Sequence, residues 1–212
     1  MFSYSSRRNT PLTQNRISLF LASVAAAALG ALALSPVANA ASTACPATTT
    51  STPFAAWGDT SSYWLVPDGD FESQPSGWTL AGGASRVAGS DPFAITGTLG
   101  SSALGLPAGS SAESPSLCVE ATERSYRFMG HSEDGEATVR PELVYEGWFG
   151  RVAIPGRTVT LKSAWEPSPI LHTGAMLVSA ISGGSVHLEL RFTTLTGKAV
   201  IDDVFVDPRM RR

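Results

Sequence analysis

In "SVHLELRF", Ser185 to Phe192, the apolar residues Val186, Leu188, Leu190 and Phe192 alternate with His187, Glu189 and Arg191. A period of two marks a β-strand with one buried face and one solvated face. The same alternation runs through "RSYRFMGH", with Tyr126 and Phe128, and through "ATVRPELVYE", with Val139, Leu143 and Tyr145. Further runs rich in Val, Leu, Phe and Thr are "SYWLVP", "GWTLAGGASRVA", "SSALGLP", "SPSLCVE", "RVAIPGRTVTLKSA", "GAMLVSAIS" and "KAVIDDVFVD". Gly, Pro, Ser and Asp punctuate them at intervals of about ten residues, the spacing of short strands joined by turns. "AGSSAE", Ala108 to Glu113, reads as a loop between two of these strands. No segment past residue 40 combines helical periodicity with caps. The pattern predicts an all-β domain, a two-sheet sandwich or jelly roll.

The first forty residues break this pattern. Arg7, Arg8 and Arg16 precede the apolar run "ISLFLASVAAAALGALAL", and "PVANA" ends in the small-x-small pattern of a signal-peptidase site. The expected organisation is a secretory signal over 1–40, a Thr/Ser/Ala-rich lead-in over 41–53, one sandwich domain over 54–208 and a basic tail over 209–212. Cleavage would leave no stable membrane insertion and a secreted, extracellular or wall-associated protein. A retained membrane anchor is the alternative reading of the apolar run.

Charge narrows the partners. The full chain of 212 residues carries 18 acids and 15 bases, and the signal takes three Arg and no acid with it. A mature chain this acidic, with Lys162 and Lys198 its only lysines, does not present the clustered cations that phosphate binding needs. Nucleic acid is therefore excluded as the expected partner. Cys45 and Cys118 are the two cysteines, and in an exported chain they most simply form one disulfide. Lipidation of Cys45 is the rival reading.

Motifs for catalysis are missing. The sequence has no Gly-x-Ser-x-Gly, no His-Glu-x-x-His, no Cys-x-x-Cys and no phosphate loop. His131, His172 and His187 are scattered, and "HSEDGE" reads as a solvated acidic loop. Trp78, behind a glycine at a strand start, is expected in the core. Trp148, in the Gly-bounded "YEGWFGRV", and Trp165, in "SAWEPSP", are the better candidates for stacking on the apolar face of a sugar, with Glu146, Arg151 and Glu166 as polar partners.

The two ends carry a family likeness. "DGDFES" with "GWTLAGGA" near the start, and "AVIDDVFVDP" at the close, resemble the first and last strands of galactose-binding-like jelly rolls of the carbohydrate-binding-module type. The block "LPAGSSAESPSLCVE" and the C-terminal strands also resemble uncharacterised secreted proteins of high-GC Gram-positive bacteria, a likeness that brings no activity with it. The first resemblance implies a structural calcium ion, carried onto Glu72 and Asp202, the two acids expected to converge where the end strands meet. Shared backbone donors are the alternative means of convergence. The combined expectation is a secreted non-catalytic module for a polysaccharide or cell-wall glycan. An extracellular protein-interaction domain without a sugar site is the second reading, and a hydrolase without a readable motif the third.

Overall fold

The computed structural model describes residues 44–73, 77–147, 150–175 and 184–207, all within Ala41–Arg212, one of two units into which the chain divides. The expected signal segment, the tail over 209–212 and most of the predicted strand "GAMLVSAIS" lie outside the described residues.

Two antiparallel sheets form the expected sandwich. Sheet I contains β1 (Trp64–Leu65), β3 (Ser85–Ala88), β4 (Ser102–Pro107), β7 (Ser125–Ser132), β11 (Glu166–Pro167), β12 (Leu171–His172) and β14 (Lys198–Asp207). Sheet II contains β2 (Thr79–Ala81), β5 (Ser111–Glu113), β6 (Leu117–Val119), β8 (Glu136–Gly147), β9 (Gly150–Pro155), β10 (Val159–Lys162) and β13 (Val186–Thr196). A 3₁₀ turn, Ala55–Trp57, precedes them.

The alternation in β13 maps directly onto burial. Val186, Leu188, Leu190 and Phe192 face the core, and His187, Glu189 and Arg191 face out. Phe192 is central: its ring stacks on Trp78 at 6.3 Å and meets Phe128 of sheet I edge-on at 5.1 Å. Trp78 is buried as expected, and its Nε1 donates to the carbonyl of Pro67 at 3.0 Å.

The loop reading of "AGSSAE" is corrected. Its second half is β5, paired with both β2 and β13, and Ala112 is fully buried beside Phe192 and Leu80. Small residues give weak strand propensity, but cross-strand pairing on both sides supplies the ladder. "GWTLAGGASRVA" also divides, with β2 in sheet II and β3 in sheet I. The crossing falls at Gly82, whose φ is +66° and where an added Cβ would sit 2.8 Å from the carbonyl oxygen of Gly109. Only glycine tolerates both.

β14 is buried at every position from Ala199 to Asp207, so it does not alternate. Its second face is covered because the N-terminal segment lies over sheet I. Ser51 bridges Tyr63, and Phe54 and Tyr63 pack on Met129 of β7 and Phe205 of β14. Arg127 stacks over Phe54 at 4.6 Å and pairs with Asp59 at 2.8 Å, which also accepts from the Tyr63 hydroxyl at 2.7 Å. A strand buried on both faces reads as a nearly continuous apolar run.

The chain ends meet. β1 pairs with β14, Trp64 opposite Val206 and Leu65 opposite Phe205. The Val66 N–H donates to the Val204 carbonyl at 2.9 Å, and the Val204 N–H donates to the Gly69 carbonyl at 3.0 Å. The "DGD" turn thus clasps β14 where its register shifts between Asp202 and Phe205, and Asp203 there adopts φ +51°. Such a bulge rotates one residue out of the ladder and re-aims the side chains around it. Cys45 and Cys118 are bonded, tying the lead-in to β6.

Candidate functional site

Two constellations stand out, one on each sheet.

The first is a groove of about 430 Å³ on the outer face of sheet II. It follows from register. One rung across the strands runs Thr79, Glu113, Arg191, Glu142, and the rung two residues along runs Ala81, Ser111, Thr193, Arg140. Because side chains repeat on one face every second residue, both rungs point to the same side, away from Phe192 and Leu190. Gly109 and Arg151 complete the lining.

The charges interlock. Arg191 donates from Nε to Glu113 at 2.7 Å. Arg151 reaches in from β9 to Glu113 and Glu189, at 2.5 Å each, and lies 3.6 Å from Glu146 at the rim. Glu142 accepts from the Thr193 hydroxyl at 3.0 Å. Burial works to raise the Glu113 carboxyl, but hydrogen bonds and charge from Arg151 and Arg191 outweigh it and hold it below the ordinary carboxylate range. Glu113 is therefore a fixed anion and a hydrogen-bond acceptor, unsuited to giving up a proton.

The second constellation lies at the β14 bulge. Asp91, Asp202 and Asp203 are all buried, with one carboxylate oxygen of each within 4.8 Å of the others. Asp202 accepts from the Ser90 hydroxyl at 2.7 Å, from the Asp91 N–H at 3.2 Å and from the Asp203 N–H at 2.9 Å. Burial is the main force raising both the Asp202 and Asp203 carboxyls. For Asp203, a hydrogen bond with Asp91 and repulsion from Asp202 add to it. Three converging hard oxygens in a site that penalises their charge form a donor set that suits calcium.

Glu72 is not in this cluster. It accepts from the backbone N–H of Ser101 at 2.7 Å and of Ser102 at 2.8 Å, and from the Ser101 hydroxyl at 2.8 Å. Burial raises its carboxyl, and those donors more than reverse the effect. Glu72 and Asp202 thus grip the two ends of one loop. Ser90 and Asp91 are held by Asp202, and Ser101 and Ser102 by Glu72. Gly100 lies between these two grips: a Cβ there would clash with both Ser90 Oγ and Glu72 Oε1.

The expected aromatic surface divides. Trp148 lies outside the described residues. Trp165 and Glu166 sit on sheet I, where Trp165 packs at 4.3 Å against His131, while Arg151 and Glu146 belong to sheet II. Residues expected to serve one site are thus on opposite faces of the sandwich. The groove residues Glu113, Arg140, Glu142 and Arg191 were absent from the expected set. The signal for Arg140, Glu142 and Arg191 was the polar half of the alternation in "ATVRPELVYE" and "SVHLELRFTT", which register aligns into rungs, whereas Glu113 lay in the segment read as a loop.

No family model matches the chain, and no curated protein matches it. Solved structures of similar fold include the CBM22-1–GH10 modules of Clostridium thermocellum endo-1,4-β-D-xylanase 10B, with 16% identity over 69% of this chain and a TM-score of 0.46. The match spans 29% of the length of that xylanase chain. The CBM22-1 xylan-binding domain of Paenibacillus barcinonensis Xyn10C has 13% identity, covers 65% of this chain and 90% of that one, and gives 0.45. The family 11 module of Clostridium thermocellum, in complex with a β-1,3-1,4-mixed-linked tetrasaccharide, has 12% identity, covers 71% and 98%, and gives 0.44. Likenesses this distant carry no inference about what the present chain binds.

Proposed function

We propose that this chain is a secreted, non-catalytic module that lays a polysaccharide or cell-wall glycan along the outer face of sheet II. The observation that supports this is the open groove floored by two consecutive rungs of Arg, Glu, Thr and Ser. Sugars present hydroxyls that both donate and accept, and a floor alternating guanidinium and carboxylate offers both partners at fixed spacing. Glu113, held as an anion by Arg151 and Arg191, is a fixed acceptor for ligand hydroxyls. Asp91, Asp202 and Asp203 would hold a structural calcium ion that secures the 90–102 loop against β14. The ion would neutralise three buried acids and carry no chemistry.

Retention of the purified chain on soluble and insoluble polysaccharides in affinity electrophoresis and pull-down tests the reading. Retention on at least one polymer is expected. It should weaken about tenfold or more in Arg151→Ala, since hydrogen bonds to charged groups contribute about 1.5–3 kcal/mol. Glu166→Ala, exposed on sheet I, should leave it unchanged. No retention on any polymer would shift the reading to an extracellular protein-interaction domain.

A further inference from the structure

We infer that the groove's ligand carries a carboxylate, as a uronic-acid-bearing glycan does, and that Arg140 is the residue that reads it; this rests on the glycan reading above. The support is an inventory of which charges in the groove are already spent. Glu113 is held by Arg191 and Arg151, and Glu189 by Arg151. Glu142 accepts from Thr193. Arg140 is different. Its Nη2 makes a loose ion pair with Glu142 at 3.6 Å, beyond hydrogen-bond reach, and its Nε is buried with no hydrogen-bond partner. Among the described residues of the groove it is the arginine whose charge no hydrogen bond meets.

Its surroundings leave room. The other members of its rung are Ala81, Ser111 and Thr193, all short side chains. Gly109 borders the same end, and a Cβ added there would meet nothing within 4 Å. Two of the three lining arginines, Arg151 and Arg191, are held close by Glu113, and Arg151 also by Glu189, whereas Arg140 has only the 3.6 Å pairing with Glu142. The Arg140 side chain is partly exposed, and a guanidinium only loosely paired with Glu142 matches a ligand carboxylate in two parallel hydrogen bonds from its Nη groups, whereas a neutral sugar offers only single hydroxyls. One loosely paired arginine is also too little for a phosphate backbone, which needs clustered cations.

The test uses the full chain and three uronate polymers: polygalacturonate, alginate and glucuronoxylan. Each is paired with its carboxyl-reduced counterpart, so that only the charge changes. One uronate polymer should bind about tenfold or more tightly than its reduced form, the value of a charge-assisted pair. Arg140→Gln should erase that preference, and Arg140→Lys should retain only part of it, because a point charge lacks the fork. Equal binding of charged and reduced forms, or a preference that survives in Arg140→Gln, would overturn the inference. Binding confined to neutral polysaccharides would overturn it and leave the glycan reading standing. Binding to no polymer would remove both.

Discussion

Asp202→Ala is expected to melt about 10 °C below the unchanged chain, and calcium is expected to stabilise the unchanged chain and not the variant. The figure follows from what the side chain holds. Asp202 is fully buried and accepts from Ser90, Asp91 and Asp203. Its removal strands two backbone N–H groups in a buried site, at about 1–3 kcal/mol each. In a domain of this size, each kcal/mol moves the melting temperature by about 2–4 °C. Glu72→Gln separates the two acids. It weakens the grip on Ser101 and Ser102 and should lower the melt by only a few degrees, leaving the calcium response intact. Scanning calorimetry with calcium and with chelator measures both effects. A calcium response that persists in Asp202→Ala, or that vanishes in Glu72→Gln, would remove the three aspartates as the ion's ligands.

Phe192→Ala is the larger insult to the fold. The ring is fully buried, stacked on Trp78 and edge-on to Phe128, so it joins the two sheets across the core. Truncating a buried Phe costs about 3–5 kcal/mol, from lost transfer energy and the cavity that remains. The expected fall in melting temperature is roughly 10–15 °C. The neighbouring Arg191→Ala, on the outer face, should cost about 1 kcal/mol or less, because its partners are partly solvated. Chemical denaturation of the two variants compares these adjacent positions. Equal losses would mean that β13 does not present alternate residues to core and groove.

That comparison also shows how far the sequence could be read. β13 was legible because its period of two coincides with a strand buried on one face. β14 was legible as a strand from its apolar run, but the cause of that run, a covering segment from Ser51 to Tyr63, could not be seen in a stretch that straddles the end of the Thr/Ser/Ala-rich lead-in and the start of the expected domain. β5 was hidden because Ser-Ala-Glu has little intrinsic strand preference and gains its place from neighbours on both sides. Asp202 was marked by the "IDD" pattern, yet its companion Asp91 sits in an unremarkable loop 111 residues away, brought near only by folding. The aromatic search pointed to exposed rings, whereas the groove is built of charged and hydroxyl side chains that any surface strand could carry. Only the register between β13, β8 and β5 turns them into one surface.

The most direct measurement is an amide-resolved NMR titration of the chain with an oligosaccharide from whichever polymer retains it. The account predicts shifts concentrated at Ser111, Glu113, Arg140, Glu142, Arg191 and Thr193, with the amides of Met129, Trp165 and Phe205 on sheet I unmoved. Shifts centred on Trp165 and His131, with the sheet II rungs silent, would contradict it.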